Sequence, residues 1–102
     1  MSNDEALFEI ECEHLSWVDG NLINELANFL ENRIGDAGKI SHSGKMVKVE
    51  TSRANLNKRT LKTYLKKFLH RFDLKDRLRV IQGSTPDSYV IHKRRGLNVT
   101  DF

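Results

Sequence analysis

The stretch KRTLKTYLKKFLHRFDLKDRLR, residues 58–79, sets the frame for the rest of the chain. Its apolar members Leu61, Tyr64, Leu65, Phe68, Leu69 and Phe72 recur at steps of three and four, so they line one face of a helix. The other face carries Lys58, Lys62, Lys66 and His70 in one row and Arg59, Thr63, Lys67 and Arg71 in the next, with no acid in either before Asp73. Such a face works against its own helix. Like charges at these spacings cost about 0.2–0.5 kcal/mol per pair, hence about 1–2 kcal/mol over several pairs. Lys58 and Arg59 also stand at the positive end of the helix dipole, where acids are favoured. A face that only meets water mixes its signs; this one is shaped to meet an external polyanion.

Working outward, Asn57 is placed to cap this helix, and Asp73 to Asp76 form a turn or a second short helix after it. Leu78–Gln82 and Ser88–Lys93 read as strands joined by the turn Gly83-Ser84-Thr85-Pro86-Asp87. Upstream, Lys39–Ser41 and Met46–Thr51 read as strands joined by the tight turn His42-Ser43-Gly44-Lys45. Residues 7–13 alternate strictly, with Phe8, Ile10 and Cys12 on one side and Glu9, Glu11 and Glu13 on the other, the pattern of a half-buried strand. Ser16 or Asp19 caps a following helix whose stripe is Leu22, Ile23, Leu26, Phe29, Leu30 and Ile34, with Gly35 just past its end. The order is strand, helix, strand, strand, helix, strand, strand. It predicts an α+β fold in one small domain, a mostly antiparallel sheet with two main helices packed on one face. The predicted layout is a flexible N-terminal segment at 1–6, the folded domain at 7–93 and a basic C-terminal tail at 94–102.

The length of 102 residues suits one modest core and is too short for two. Charge is strongly divided. Residues 1–36 hold nine acids and one base, Arg33, for a net of −8, whereas residues 37–102 hold sixteen bases and five acids, for a net of +11. That division implies one region that repels polyanions and another that attracts them. No apolar run approaches the roughly 20 residues of a membrane span. The N-terminus MSNDEALFEIE lacks the basic-then-apolar layout of a signal peptide. The single Cys12 permits no internal disulfide and fits a reducing compartment. These features point to the cytosol or nucleus.

The ordered set FEIECEH, DGNLINELANFLENRI, KVETS, NKRTLKTYLKKFLHRFDLKDRLRVI and SYVIHK resembles the eukaryotic ribosomal protein 22e family of the large ribosomal subunit. The resemblance runs from about Phe8 to Lys93. Its most specific parts are the basic helix through Leu78-Arg79-Val80, the strand end Cys12-Glu13-His14 and the helix start Asp19-Gly20. It implies a structural, non-catalytic component of the large subunit that binds helical ribosomal RNA beside neighbouring ribosomal proteins. The implied location is the cytoplasmic ribosome, with assembly in the nucleus and nucleolus. Residue by residue, it implies RNA contacts at Lys58, Arg59, Lys62, Lys66, Lys67, His70, Arg71 and Arg79. Lys75, Lys93, Arg94 and Arg95 are secondary candidates. The chain departs from the family's pattern in four ways. It lacks a glycine-rich loop before the hairpin, has Ser2-Asn3-Asp4-Glu5 in place of a basic extension, has Lys93-Arg94-Arg95 in place of an acidic tail, and has Arg77 where an aromatic residue is common.

Lysine and arginine neutralise phosphates and release counterions, which supplies affinity without reading sequence. A rigid basic helix therefore suits duplex or stem-loop RNA, read through shape and backbone. Phe68 and Phe72 fall on the buried stripe, so few rings are left for stacking on single strands, with Tyr64 at the stripe's edge the exception. His14, His42, His70 and His92 are spread over four elements without metal-ligand spacing. Cys12 alternates inward beside Ile10 and reads as a buried structural thiol. Trp17 reads as a staple before the first main helix. No nucleophile–base set, phosphate loop or cofactor motif is present, so no enzyme, cofactor, small-molecule substrate or membrane association is expected. Two other readings share these residues: a regulator that binds structured RNA off the ribosome, and a protein-interaction module using the acidic first half.

Overall fold

The computed structural model describes residues 5–52 and 56–94, with the backbone alone described at Ala37. It contains strand β1 (Glu5–Glu11), helices α1 (Glu13–Val18) and α2 (Leu22–Ile34), a single 3-10 turn over Gly35–Ala37, strands β2 (Gly38–Ser43) and β3 (Met46–Ser52), helix α3 (Lys58–Arg71), and strands β4 (Leu78–Gln82) and β5 (Ser88–Lys93). The strands form one sheet in the order β2-β3-β1-β5-β4. All neighbours pair antiparallel except β1 and β5, which run parallel through Glu9↔Ser88 to Glu11↔Val90. The α+β architecture read from the sequence is the one observed, with a short third helix added.

One face of the sheet is buried. Ala6, Phe8 and Ile10 from β1, Val47, Val49 and Thr51 from β3, Leu78 and Val80 from β4, and Tyr89 and Ile91 from β5 all point into the core. There they meet Ile23, Leu26, Phe29 and Leu30 of α2 and Leu61, Leu65, Phe68 and Leu69 of α3. The helices touch through Phe29 and Phe68, whose rings pack edge to face at 5.6 Å. Each fully buried leucine or phenylalanine contributes about 1.5–3 kcal/mol. No described helix covers the other face of the sheet. It is solvated and mixed in sign, with Glu9 opposite Lys48 and Glu50 opposite Lys39.

Several local details depart from the expectations. The first strand begins at Glu5, inside the segment read as an N-terminal extension, because β3 reaches Ser52 and offers Glu5 a partner. It ends at Glu11, not Glu13. The last pairing is Glu11↔Met46; Cys12 N–H still reaches the Lys45 carbonyl at 2.7 Å, while the Cys12 carbonyl already accepts the helical bond from Ser16 N–H at 3.0 Å. Glu13 therefore leaves the row formed by Glu9 and Glu11 and opens α1. Ser16 lies inside α1, its hydroxyl donating to the Glu13 carbonyl at 2.6 Å. Trp17 belongs to the same helix and is 41% exposed; the residue that seats α1 in the core is Leu15. Asp19 orders the bend into α2 by accepting from Asn21 N–H on its carboxylate and from Leu22 N–H on its carbonyl, both at 3.0 Å. The β2–β3 hairpin is longer than its apolar pattern suggested. It closes through Gly44-Lys45, where Gly44 takes the positive φ of 58° that a tight hairpin requires.

Candidate nucleic-acid interface

Helix α3 is held at both ends by bonds its sequence specifies. The Asn57 side chain accepts from Thr60 N–H at 2.8 Å, satisfying one of the free donors of the first turn. At the far end, Leu74 N–H reaches back to the Leu69 carbonyl at 2.7 Å and Asp73 N–H to the His70 carbonyl at 3.1 Å. Asp73 adopts φ 57° between them, and Leu74 buries against the core with Leu69, so the helix stops in a Schellman motif. A helix of 14 residues is about 21 Å long, and both ends of this one are pinned.

Between those ends the outward face carries Arg59, Lys66, Lys67, His70 and Arg71, all exposed, with half-buried Lys62 on the flank. Among the described residues no carboxylate forms an ion pair with any of the six. Lys58 is different. Its position in the helix turns it toward the sheet, where its ammonium donates to Gln82 Oε1 and lies 5.6 Å from the centre of the Tyr89 ring. Its carbonyl accepts from the Tyr89 hydroxyl at 2.9 Å. Lys58 thus anchors the start of α3 as well as extending its charge.

The fold gathers several separate candidates. Lys66 and His70 from α3, Lys75 from the following turn, Arg79 from the edge strand β4 and Arg94 after β5 surround a groove of about 250 Å³. Its floor is Leu69, Leu78 and Val80. Arg94 is fixed there by its N–H on the Arg77 carbonyl at 2.9 Å and by its side-chain Nε on the Lys75 carbonyl. Arg79 is exposed between buried Leu78 and Val80, so its alternation sets it on the sheet face away from α3. Lys93 is half-buried, with its ammonium 6.0 Å from the centre of the Trp17 ring. Arg95 lies outside the described residues. A larger depression, about 650 Å³, carries Glu5, Asp36 and Glu50 against a single Lys39, the wrong balance for a polyanion.

Arg33 belongs to the acidic half by position, yet α2 delivers its guanidinium to 4.9 Å from the Phe29 ring centre and 6.0 Å from that of Tyr64 on α3. The one base of residues 1–36 therefore borders the basic helix. Its spacing from Phe29 was visible in sequence; its approach to Tyr64 depends on how α2 and α3 pack. Among the described residues no group of three or more His, Cys, Asp or Glu side chains is arranged to hold a metal ion.

Compared directly with curated proteins, the chain matches none. Compared with protein families, it matches one over residues 3–92, a span running from before β1 to the penultimate residue of β5 and containing all of α3. That match covers most of the 102 residues and agrees with the order of motifs read along the chain. The chain belongs to the Ribosomal L22e protein family and is, as such, a ribosomal protein.

Proposed function

We propose that this ribosomal protein is a structural, non-catalytic constituent of the large subunit and binds duplex or stem-loop ribosomal RNA through α3. The observation that carries the reading is the unmixed outward face of that helix. Arg59, Lys62, Lys66, Lys67, His70 and Arg71 form no ion pair among the described residues, whereas the open face of the sheet alternates its signs. A protein that only needed solubility would not concentrate cations where they destabilise their own helix. An RNA backbone supplies the missing counter-charge and is rewarded by counterion release.

The groove beside α3 continues the same surface through Lys75 and Arg94, and Arg79 extends the charge around the edge strand β4 onto the other face of the sheet. Arginines there and at Arg59 and Arg71 can grip phosphate through two donors at once, which lysine cannot. Lys58 serves chiefly to hold the helix to the sheet. The proposed setting is the cytoplasmic ribosome after nucleolar assembly, with neighbouring ribosomal proteins as further partners. Arg95 and the basic tail are proposed as secondary RNA contacts.

The test is binding of the purified protein to a large-subunit RNA stem-loop over a salt series, beside a Lys62/Lys66/Lys67→Ala variant. Affinity should fall steeply with salt. The variant should bind weakly, with the logarithmic salt slope reduced by up to about one per lost phosphate contact. A variant that binds like the parent would remove α3 from the interface. A parent that fails to bind at low salt would remove RNA from the function.

A further inference from the structure

Among the described residues the sheet ends at β2 on one side and at β4 on the other, and the two edges differ in charge. Beside β2, the depression next to Gly38 and Lys39 carries Glu5, Asp36 and Glu50. Beside β4, the groove of about 250 Å³ runs between the strand and α3 over Leu69, Leu78 and Val80. Its walls are fixed at both ends. Lys58 of α3 donates to Gln82 Oε1 at one end, and Arg94 donates to the Lys75 and Arg77 carbonyls at the other. A helix and an edge strand held side by side over an apolar floor form a trough of the kind that receives extended chains.

The hydrogen-bond ladder decides which backbone groups face that trough. Gly83 N–H donates to the Ser88 carbonyl and Arg94 N–H to the Arg77 carbonyl, each at 2.9 Å. Bonds alternate along an antiparallel pair, so Arg79 and Ile81 share theirs with His92 and Val90 of β5. The main-chain groups of Leu78, Val80 and Gln82 turn the opposite way, off the edge of the sheet. Leu78 N–H is taken there by the Leu74 carbonyl at 2.8 Å, and no described strand lies beyond β4 to take those of Val80. Cations flank this edge on both sides. Lys66 and His70 stand on the side of α3 with Lys75 and Arg94 at the end of the groove, whereas Arg79 is exposed on the other face of the sheet. A duplex laid along α3 meets only one of these sides; a strand inserted beside β4 meets both.

We infer that the β4 edge captures an extended acidic segment of a partner protein as an added strand. Main-chain bonds to Val80 set its register, and its side chains alternate between the two groups of cations. The residue opposite Val80 faces Leu69, Lys66 and His70, and its neighbours face Arg79. Acids complement the charge on either side, and the acid-lined β2 edge would repel the same segment. The inference goes beyond the proposed function but draws on some of the same cations, Lys66 among them. Strand capture therefore competes with RNA for one flank of α3, whereas Arg59 and Arg71 lie outside the groove lining.

The probe is a short fluorescein-labelled peptide of alternating glutamate and valine, beside a lysine–valine peptide and a glutamate–proline peptide of the same length. The first should bind and slow hydrogen exchange at the Val80 amide. The lysine peptide should not bind. The proline peptide has the same charge but cannot pair as a strand, and should bind at least about tenfold more weakly. Arg79→Glu should weaken capture about tenfold, while Arg59→Ala with Arg71→Ala should leave it unchanged and weaken a stem-loop RNA. Equal binding of the two acidic peptides, or unchanged exchange at Val80, would overturn strand capture. Slow Val80 exchange in a peptide-free dimer would overturn it too, by assigning the edge to a second copy. Peptide capture without RNA binding would support the groove and remove the proposed function; RNA binding without peptide capture would do the reverse.

Discussion

The Tyr89 hydroxyl on β5 donates to the Lys58 carbonyl in the first turn of α3 at 2.9 Å, and the Lys58 ammonium returns over the Tyr89 ring at 5.6 Å. One tyrosine thus fixes the origin of the basic helix relative to the sheet. Burial holds its phenol above the usual tyrosine range, as expected for a group that donates rather than ionises. Tyr89→Phe removes the bond and keeps the ring. Loss of a part-buried hydrogen bond should cost about 1 kcal/mol, seen as a lower urea midpoint with an unchanged slope. A midpoint equal to the parent's would mean that the apolar contacts of α3 alone set its position.

Asp73 is the described non-glycine residue with positive φ, and it sits at the end of α3 where the dipole disfavours an acid. The left-handed backbone costs an ordinary residue about 1–2 kcal/mol, against which glycine's extra chain entropy weighs about 0.5–1 kcal/mol. Asp73→Gly should therefore stabilise the domain by about 0.5–1 kcal/mol. The change would appear as a rise in Tm; a fall would show that the Asp73 side chain contributes something its geometry does not reveal.

Cys12 is fully enclosed at the end of β1, and its thiol lies 3.4 Å from the Ile10 carbonyl, to which it donates. Burial, reinforced by the charge of Glu11, pushes its pKa up to about 12, although a hydrogen bond from the Val47 backbone lowers it slightly. The thiolate is the reactive form, so the native protein should resist alkylation at neutral pH and react fully in denaturant. Labelling at equal rates with and without denaturant would contradict the enclosed site.

His14 titrates below the usual histidine range, chiefly because burial disfavours its charge, with His92 and Lys93 adding repulsion and Glu13 opposing them. Its Nδ1 accepts the Lys93 N–H, which a protonated ring cannot do. The unfolded chain takes up this proton at a higher pH than the folded one. The contribution is therefore present above the ordinary histidine pKa of 6.5 and is lost as pH falls from there through the lower folded value. Urea midpoints measured across that window should fall with pH in the parent and less in His14→Gln. An equal fall in both would assign the dependence to other groups.

Most of the local structure was readable along the chain because the signals are short-range. Asn57 at its cap, the stripe through Leu61, Leu65 and Phe68, the strands Leu78–Gln82 and Ser88–Lys93, and the alternation of Phe8 with Ile10 all follow from spacing and capping chemistry. The outward basic rows of α3 were equally legible, since a helix presents residues four apart on one side whatever it packs against.

Helix α1 was not legible. Six residues are too few for a periodic signal, and they turn helical where the β1–β3 pairing ends and Leu15 finds the core. The parallel union of β1 with β5 joins the two ends of the chain, and no neighbouring residues encode it. That pairing brings His14 to His92, just as the packing of α2 on α3 carries Arg33 to Tyr64 and the turn of Lys58 toward Tyr89 makes it an anchor. Capping and periodicity act over four or five residues and are written in order along the chain. Which surfaces become neighbours depends on burying one shared apolar face, and that is settled only when the whole domain closes around it.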